Sequence, residues 1–350
     1  MKSKGMWIIV SVLVVLGLLI GSFGCAAPAL APTPAPTPTP APKPIVLKAV
    51  SSIGQTYPVT IQLERAIDLI KERSGGRIDF EYHAYGSLYN LKEASDAIMD
   101  NLAQIGNFKG GYYPEKLGVA SEIANLPYNY SFEGFSAHRR DPGGFFDWIS
   151  PYYERNGAKL LSYDVIPPSI GIISKKPIRK LEDLKGVLMR CVAGAAARGF
   201  ELLGTEPVFM PTGEIYEGLL RGTVDATNSS LSSSISAKYY EAAKYYIMCE
   251  YTTAGVELAM NLDTFNSLPS DLQKIIVDAL VETEEMLFEE TPLAVEQQIK
   301  DMEAEGVEFI YLDKSEIARW AAAIQPLYDE YAQKYGAEWE QFLKIREPMR

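Results

Sequence analysis

A helical period near the C-terminus constrains this chain most. Ser267-Leu268-Pro269-Ser270-Asp271 has helix-start chemistry, and Leu272, Ile276, Ala279, Leu280, Met286 and Leu287 recur at helical spacing on toward Met302, before Gly306. A helix of that length can pass from one lobe to another. Pro292 inside it predicts either a kink or a break into two helices. From Ile45 to the end the chain is about 300 residues, a size at which two lobes are expected rather than one.

Upstream, strands and helices alternate. Strands are expected over 45–50, 77–82, near Ile105, over 159–163, 170–174 and 207–210. Between them Val59, Leu63, Ala66, Ile67 and Ile70 mark a helix stopped by Gly75-Gly76, and further helices are expected over 94–103, 195–203 and 214–221. That order predicts an α/β chain. A last amphipathic segment, 317–335, carries Trp320, Ile324, Leu327, Tyr328 and Tyr331, a stripe read as packing.

One residue interrupts this apolar scheme. After a helical turn and Gly186, the run Val187-Leu188-Met189-Arg190-Cys191-Val192 sets an arginine in the middle of a strand. A guanidinium among such neighbours cannot stay buried unpaired, and its planar fork suits a carboxylate held by two parallel hydrogen bonds. The carboxylate belongs either to a protein Asp or Glu or to a ligand.

Composition excludes several classes. With 33 basic and 45 acidic side chains the net charge is −12, which argues against nucleic acid. Two histidines, His83 and His138, without His-Glu-x-x-His spacing, and no cysteine pair of zinc type argue against a metal centre. Nucleophile-elbow, Ser-x-x-Lys and phosphate-loop motifs are all missing, so no catalytic residue and no cofactor is assigned. Cys191 and Cys249 are a pair that an oxidising compartment would allow to bridge, although a buried thiol is the ordinary outcome for Cys191 in an apolar strand.

The first residues concern location. Lys2 and Lys4 precede an apolar run from Met6 to Ile20, then Gly21-Ser22-Phe23-Gly24-Cys25. This resembles a bacterial lipoprotein signal over 1–24, which would make Cys25 the lipidated first residue of the mature chain. Ser22 and Phe23 depart from that pattern and leave an uncleaved anchor open. Residues 25–44, dense in proline, are expected to form an extended spacer that lifts a domain off the membrane.

Six motifs occur in one order: Gly75-Gly76-Arg77-Ile78 through Tyr85-Gly86-Ser87-Leu88; Asn125-Leu126-Pro127-Tyr128; Lys176-Pro177-Ile178; Asp183-Leu184-Lys185-Gly186 through Arg190; Glu214-Ile215-Tyr216 through Gly222-Thr223-Val224-Asp225; and Leu268-Pro269-Ser270-Asp271-Leu272. The chain from about residue 45 to 345 thereby resembles the DctP-type extracytoplasmic solute receptors of TRAP transporters. The resemblance implies a two-lobed, periplasmic-binding-protein-like α/β fold with a hinge and a long helix spanning both lobes. One lobe would comprise 45–167 with 256–295, the other 168–255 with 296–350. It also implies a small organic acid as ligand, TRAP membrane subunits as partners and no enzymatic activity.

Residue by residue, the family's ligand-pairing arginine falls on Arg190. A second arginine, carried by receptors for sialic acid and many dicarboxylates, falls at about Ile170, and a ligand-contacting asparagine falls on Ser229, with Asn228 beside it. Both departures point to a monocarboxylate. The resemblance makes Ser52, Tyr57, Asn107 and Lys109 further ligand-binding candidates, and Thr212 is another because it opens an expected helix, where anions are also received. Turn chemistry is the plain alternative for Ser52 and Tyr57, a solvated surface for Lys109, and a helix N-cap for Thr212. An ABC-importer receptor and an extracellular hydrolase remain the alternative functions.

Overall fold

The computed structural model describes residues 43–123, 126–163, 170–191, 194–251 and 256–350. The lipoprotein signal, Cys25, nearly all of the proline-rich spacer and the expected hinge crossings at 164–169 and 252–255 lie outside the described residues. The strands are β1 (Ile45–Val50), β2 (Ile78–His83), β3 (Ile105–Phe108), β4 (Ala158–Tyr163), β5 (Ile170–Ser174), β6 (Leu188–Cys191), β7 (Glu206–Phe209), β8 (Ala226–Ser230), β9 (Tyr245–Met248), β10 (Glu257–Asn261) and β11 (Glu308–Tyr311).

They form two sheets, each the centre of a lobe. The first has the order β2-β1-β3-β10-β4, with β1 parallel to β2 and β3 and with β10 antiparallel to its neighbours β3 and β4. In the second, ordered β11-β9-β5-β8-β6-β7, β6 runs parallel to both β7 and β8, and β5 antiparallel to β8 and β9. Alternate side chains of a strand enter opposite cores, as the pleat requires. Leu47 and Ala49 pack with Leu63 and Ile276 on one face of the first sheet, Val50 with Ile98 and Phe108 on the other. Ile172 and Ile173 divide the second sheet's two cores in the same way. Gly106 permits the close approach of β3 to β1, because a Cβ there would collide with the Val50 carbonyl.

The long helix is one element, Ser270–Ala304, unbroken at Pro292. Leu272, Ile276, Ala279 and Leu280 seat it on the first lobe, and Met302, with Val295 and Ile299, on the second. The amphipathic segment 317–335 forms two helices, Lys314–Ala323 and Gln325–Tyr335, parted at Ile324. A further helix, Ala337–Arg346, inserts Trp339 and Phe342 into the core of Phe108, Phe135 and Phe145. The chain end thus returns to the first lobe, which qualifies the expectation that 296–350 belongs to the second. Cys191 and Cys249 are buried free thiols, pushed by desolvation to about 11 and about 12.

Midway along the long helix, Glu284 is 1% exposed and binds two arginines, Arg139 at 3.0 Å and Arg140 at 2.7 Å. Its other oxygen accepts from Ser162 Oγ at 2.8 Å and from the Tyr163 N–H at 3.1 Å, tying β4 to the helix. A buried carboxylate is tolerated only when its lone pairs are so occupied. Glu284→Ala leaves Arg139 buried without this partner and is expected to destabilise the fold by about 3–5 kcal/mol. Chemical denaturation checks this; a loss below about 1 kcal/mol would show that Glu285 alone suffices.

Candidate functional site

In α/β folds the carboxyl ends of strands open into crevices where loops gather polar groups. Here a cavity of about 770 Å³ lies at such ends. Ser52 and Tyr57 after β1, Asn90, Leu91 and Lys92 beyond β2, and Lys109 and Tyr112 after β3 line it from the first lobe, while Arg190 on β6 and the segment from Phe209 to Thr212 at the end of β7 line it from the second. No histidine, cysteine, aspartate or glutamate is among the lining residues.

Arg190 is 7% exposed, and pairing of β6 with β7 and β8 fixes its backbone on both sides. Its Nε donates to the Met210 carbonyl at 2.9 Å and an Nη donates to Thr212 Oγ1 at 3.3 Å. Both acceptors are neutral, and Arg190 forms no ion pair among the described residues. Desolvation accordingly lowers its pKa from the usual value, although a guanidinium remains a cation. Two phenols, Tyr112 and Tyr239, lie within reach of its charge. Desolvation raises Tyr112, and pushes Tyr239 up to about 12, against the pull of the Arg190 charge; Tyr57 adjoins Tyr239. Of the two ways to satisfy this guanidinium, the protein carboxylate is excluded among the described residues.

The two lysines differ from it. Lys92 pairs with Asp96 at 2.9 Å. Lys109, half-buried, acts on Glu257, a carboxyl at the start of β10 that is 1% exposed. Burial raises the Glu257 pKa; Lys109, the Gly110 N–H at 3.3 Å and the Tyr153 hydroxyl at 3.1 Å pull it back. Those contacts are donors or a cation, the surroundings of an anion.

Of the sequence candidates, Arg190, Ser52, Tyr57, Lys109 and Thr212 line the cavity. Lys109 sits in its wall rather than on an open surface. Thr212 is not a helix N-cap: Pro211 precedes the 3₁₀ turn Thr212–Glu214, and the threonine hydroxyl serves Arg190. Asn107 is fully buried behind the wall, where its Oδ1 accepts the Ser52 N–H at 2.8 Å. It holds the loop that presents Ser52, whose buried Oγ has no hydrogen-bond partner. Ile170, buried in β5, pairs with Ser230, while Asn228 and Ser229 stand opposite Ile172 and Gly171; none of the three lines the cavity. Sequence reasoning missed Ile53, Leu91, Tyr112, Phe209, Met210 and Val256. The only signal for Phe209 and Met210 was their place beside a strand end. Two cross-lobe hydroxyl pairs flank the site, Tyr57 with Ser233 and Thr56 with Ser236 at 3.4 Å.

Residues 50–334 match the family described as bacterial extracellular solute-binding protein, family 7. The C4-dicarboxylate-binding periplasmic protein DctP of Rhodobacter capsulatus is 26% identical over 337 residues, covering 93% of this chain and 95% of its own. Among solved structures, an extracytoplasmic solute receptor of Bordetella pertussis that binds pyroglutamic acid superposes with a TM-score of 0.77 at 18% identity, over 87% of this chain and 99% of that one. A TRAP periplasmic solute-binding protein of Desulfovibrio salexigens with bound orotic acid gives 0.78 at 21% identity, over 86% and 97%. The two-sheet architecture is that of two-lobed TRAP solute receptors, and the chain belongs to family 7 of the bacterial extracellular solute-binding proteins.

Proposed function

We propose that this chain is an extracytoplasmic receptor that captures an organic monocarboxylate through Arg190 and delivers it to the membrane subunits of a TRAP-type permease. The observation that carries the reading is Arg190, a buried cation with two neutral acceptors and, among the described residues, no protein anion, facing a cavity whose described lining holds no acidic group. A ligand carboxylate supplies the missing charge through the guanidinium's remaining N–H groups. Ser52 Oγ, buried and unpartnered in the opposite wall, offers it a further hydrogen bond. The relatives named above bind a C4-dicarboxylate, pyroglutamate and orotate, each a carboxylic acid.

One charge rather than two is favoured by the partners of the other cations. Lys92 has Asp96 and Lys109 has Glu257 behind it, and the expected position of a second arginine holds Ile170. A binder is favoured over a hydrolase because, among the described residues, no imidazole, thiol or carboxylate lines the cavity to act as base or nucleophile. The lobes close on the ligand about the hinge, with Tyr57–Ser233 and Thr56–Ser236 meeting at the rim, and the closed face is what the permease reads. An acylated Cys25 holds the receptor to the membrane.

A thermal-shift screen of the purified protein against organic acids tests the reading. A ligand bound only by the folded state stabilises it by about 2.7 kcal/mol at a hundred times its Kd. The amides of the acids that stabilise are expected to do nothing, and equal stabilisation by acid and amide would remove the ion pair. Arg190→Lys loses the planar fork and is expected to weaken binding by about 2 kcal/mol, Arg190→Ala by more, with the fold intact. Unchanged calorimetric affinity in Arg190→Ala would take the residue out of the site.

Charge selectivity is expected to depend on pH. Because the Glu257 pKa is raised, this carboxyl takes up its proton at a higher pH than an ordinary glutamate, and the anion facing Lys109 is lost first as pH falls. Sulfoacetate, whose sulfonate stays ionised as pH falls, should therefore gain on acetate, and Glu257→Gln should reproduce the gain at neutral pH. Titrations of both acids against the two proteins check this; an unchanged ratio counts against the role of Glu257. For the anchor, Cys25→Ser is expected to release the protein from the membrane fraction. Full-length mutant retained in membranes would show that the apolar run Met6 to Ile20 itself anchors, at the short end of spanning length.

A further inference from the structure

The cavity carries a second unsatisfied feature, of a different kind from the arginine. Phe209, the last residue of β7, is 74% exposed, the most exposed large apolar side chain among the described residues. It lies in the cavity wall, next in the chain to Met210, whose carbonyl anchors Arg190. Tyr112, 46% exposed on the 3₁₀ turn Gly110–Tyr112, lines the same cavity from the other lobe. Neither ring stacks on another ring or a cation among the described residues, in a protein whose other rings are widely paired, as Phe200 is with Tyr251. Ile53, Leu91 and Val256 add aliphatic surface between them.

Resting on the reading that Arg190 holds a carboxylate, we propose that the body of the ligand is a planar, apolar ring system seated between Phe209 and Tyr112. The two rings come from opposite lobes and line one cavity, so a ligand held there can meet both. Aromatic pairs favour offset or edge-on contacts at ring-centre separations of about 4.5–7 Å, which a flat ligand satisfies on both sides at once and a puckered one does not. A cavity lined by apolar side chains with a few polar groups among them is the usual make-up of a small-molecule site. The carboxylate is then gripped by Arg190 at the cavity's charged end, and the ring carries the selectivity.

The test is calorimetric titration of the full-length protein with phenylacetate and cyclohexylacetate, acids of the same charge and similar size that differ in planarity. Phenylacetate is expected to bind at least tenfold tighter. Phe209→Ala should bring the ratio close to one without shifting the melting temperature, since the side chain is exposed, and Phe209→Leu should do nearly the same because it keeps apolar area but loses the ring. Tyr112→Ala should act in the same direction. A wild-type ratio near one, binding of neither acid, or a ratio unchanged in Phe209→Ala overturns the ring seat. Arg190→Ala run in parallel separates this from the reading beneath it. If the best acid of the thermal-shift screen still requires Arg190 while the ratio is one, only the ring seat falls; if that acid is indifferent to Arg190→Ala, the receptor reading falls with it.

Discussion

A buried guanidinium without an anion is the constraint on which the rest of this molecule turns. Desolvating a charge is costly, and two hydrogen bonds to neutral oxygens only partly offset it. The fold accepts this because β6 is held on both sides, leaving Arg190 no route to solvent except through the cavity. The surrounding charge is consistent with such a purpose. The chain as a whole is acidic, at −12, whereas the charged side chains lining the cavity among the described residues, Lys92, Lys109 and Arg190, are cations. An overall negative protein with one positive cleft repels anions elsewhere and concentrates them there.

The strength of the contacts is distributed as a clamp needs. Within the first lobe, Glu284 locks the long helix to β4 and to two arginines in a setting shielded from water, where removing one partner costs several kcal/mol. Across the cavity, by contrast, hydroxyl pairs bridge the lobes, Tyr57 with Ser233 and Thr56 with Ser236, each worth about 0.5–1.5 kcal/mol net and exchangeable for water. Bonds of that size can break and re-form at little cost while the lobes stay rigid. The long helix, seated on both lobes by Leu272 at one end and Met302 at the other, allows them to move without parting.

Much of the fold was legible because it follows periodicity. The strands from Ile45, Ile170 and Leu188 and the helix from Ser270 lie where apolar spacing and capping put them. Pro292 left the helix undecided between a kink and a break, and packing on both lobes kept it whole. The stripe from Ile317 to Tyr335 packs as its apolar spacing suggests, but it serves two cores, Trp320 in the second lobe and Tyr331 in the first, which the spacing alone does not separate. Arg190 was legible because a charge in an apolar strand is anomalous in the sequence itself. Asn107 was not, since a buried amide that braces a neighbouring loop and one that touches a ligand look alike in one dimension. Phe209 lay in an apolar run that any buried strand shows, and only the third dimension reveals that it faces the cavity.

Selectivity then follows from which charges already have counterparts. A second ligand carboxylate entering this cavity would have to compete with Glu257 for Lys109 or with Asp96 for Lys92, because Arg190 is engaged by the first. Failing that, it would be left desolvated beside apolar walls, a penalty larger than any contact it gains. An apolar body meets the reverse balance. Phe209, Leu91, Ile53 and Val256 lose water in exchange for contact, and the gain grows with the ligand area that they cover. Under the proposed function, the ligand favoured is therefore a monocarboxylate whose apolar body fits this cavity.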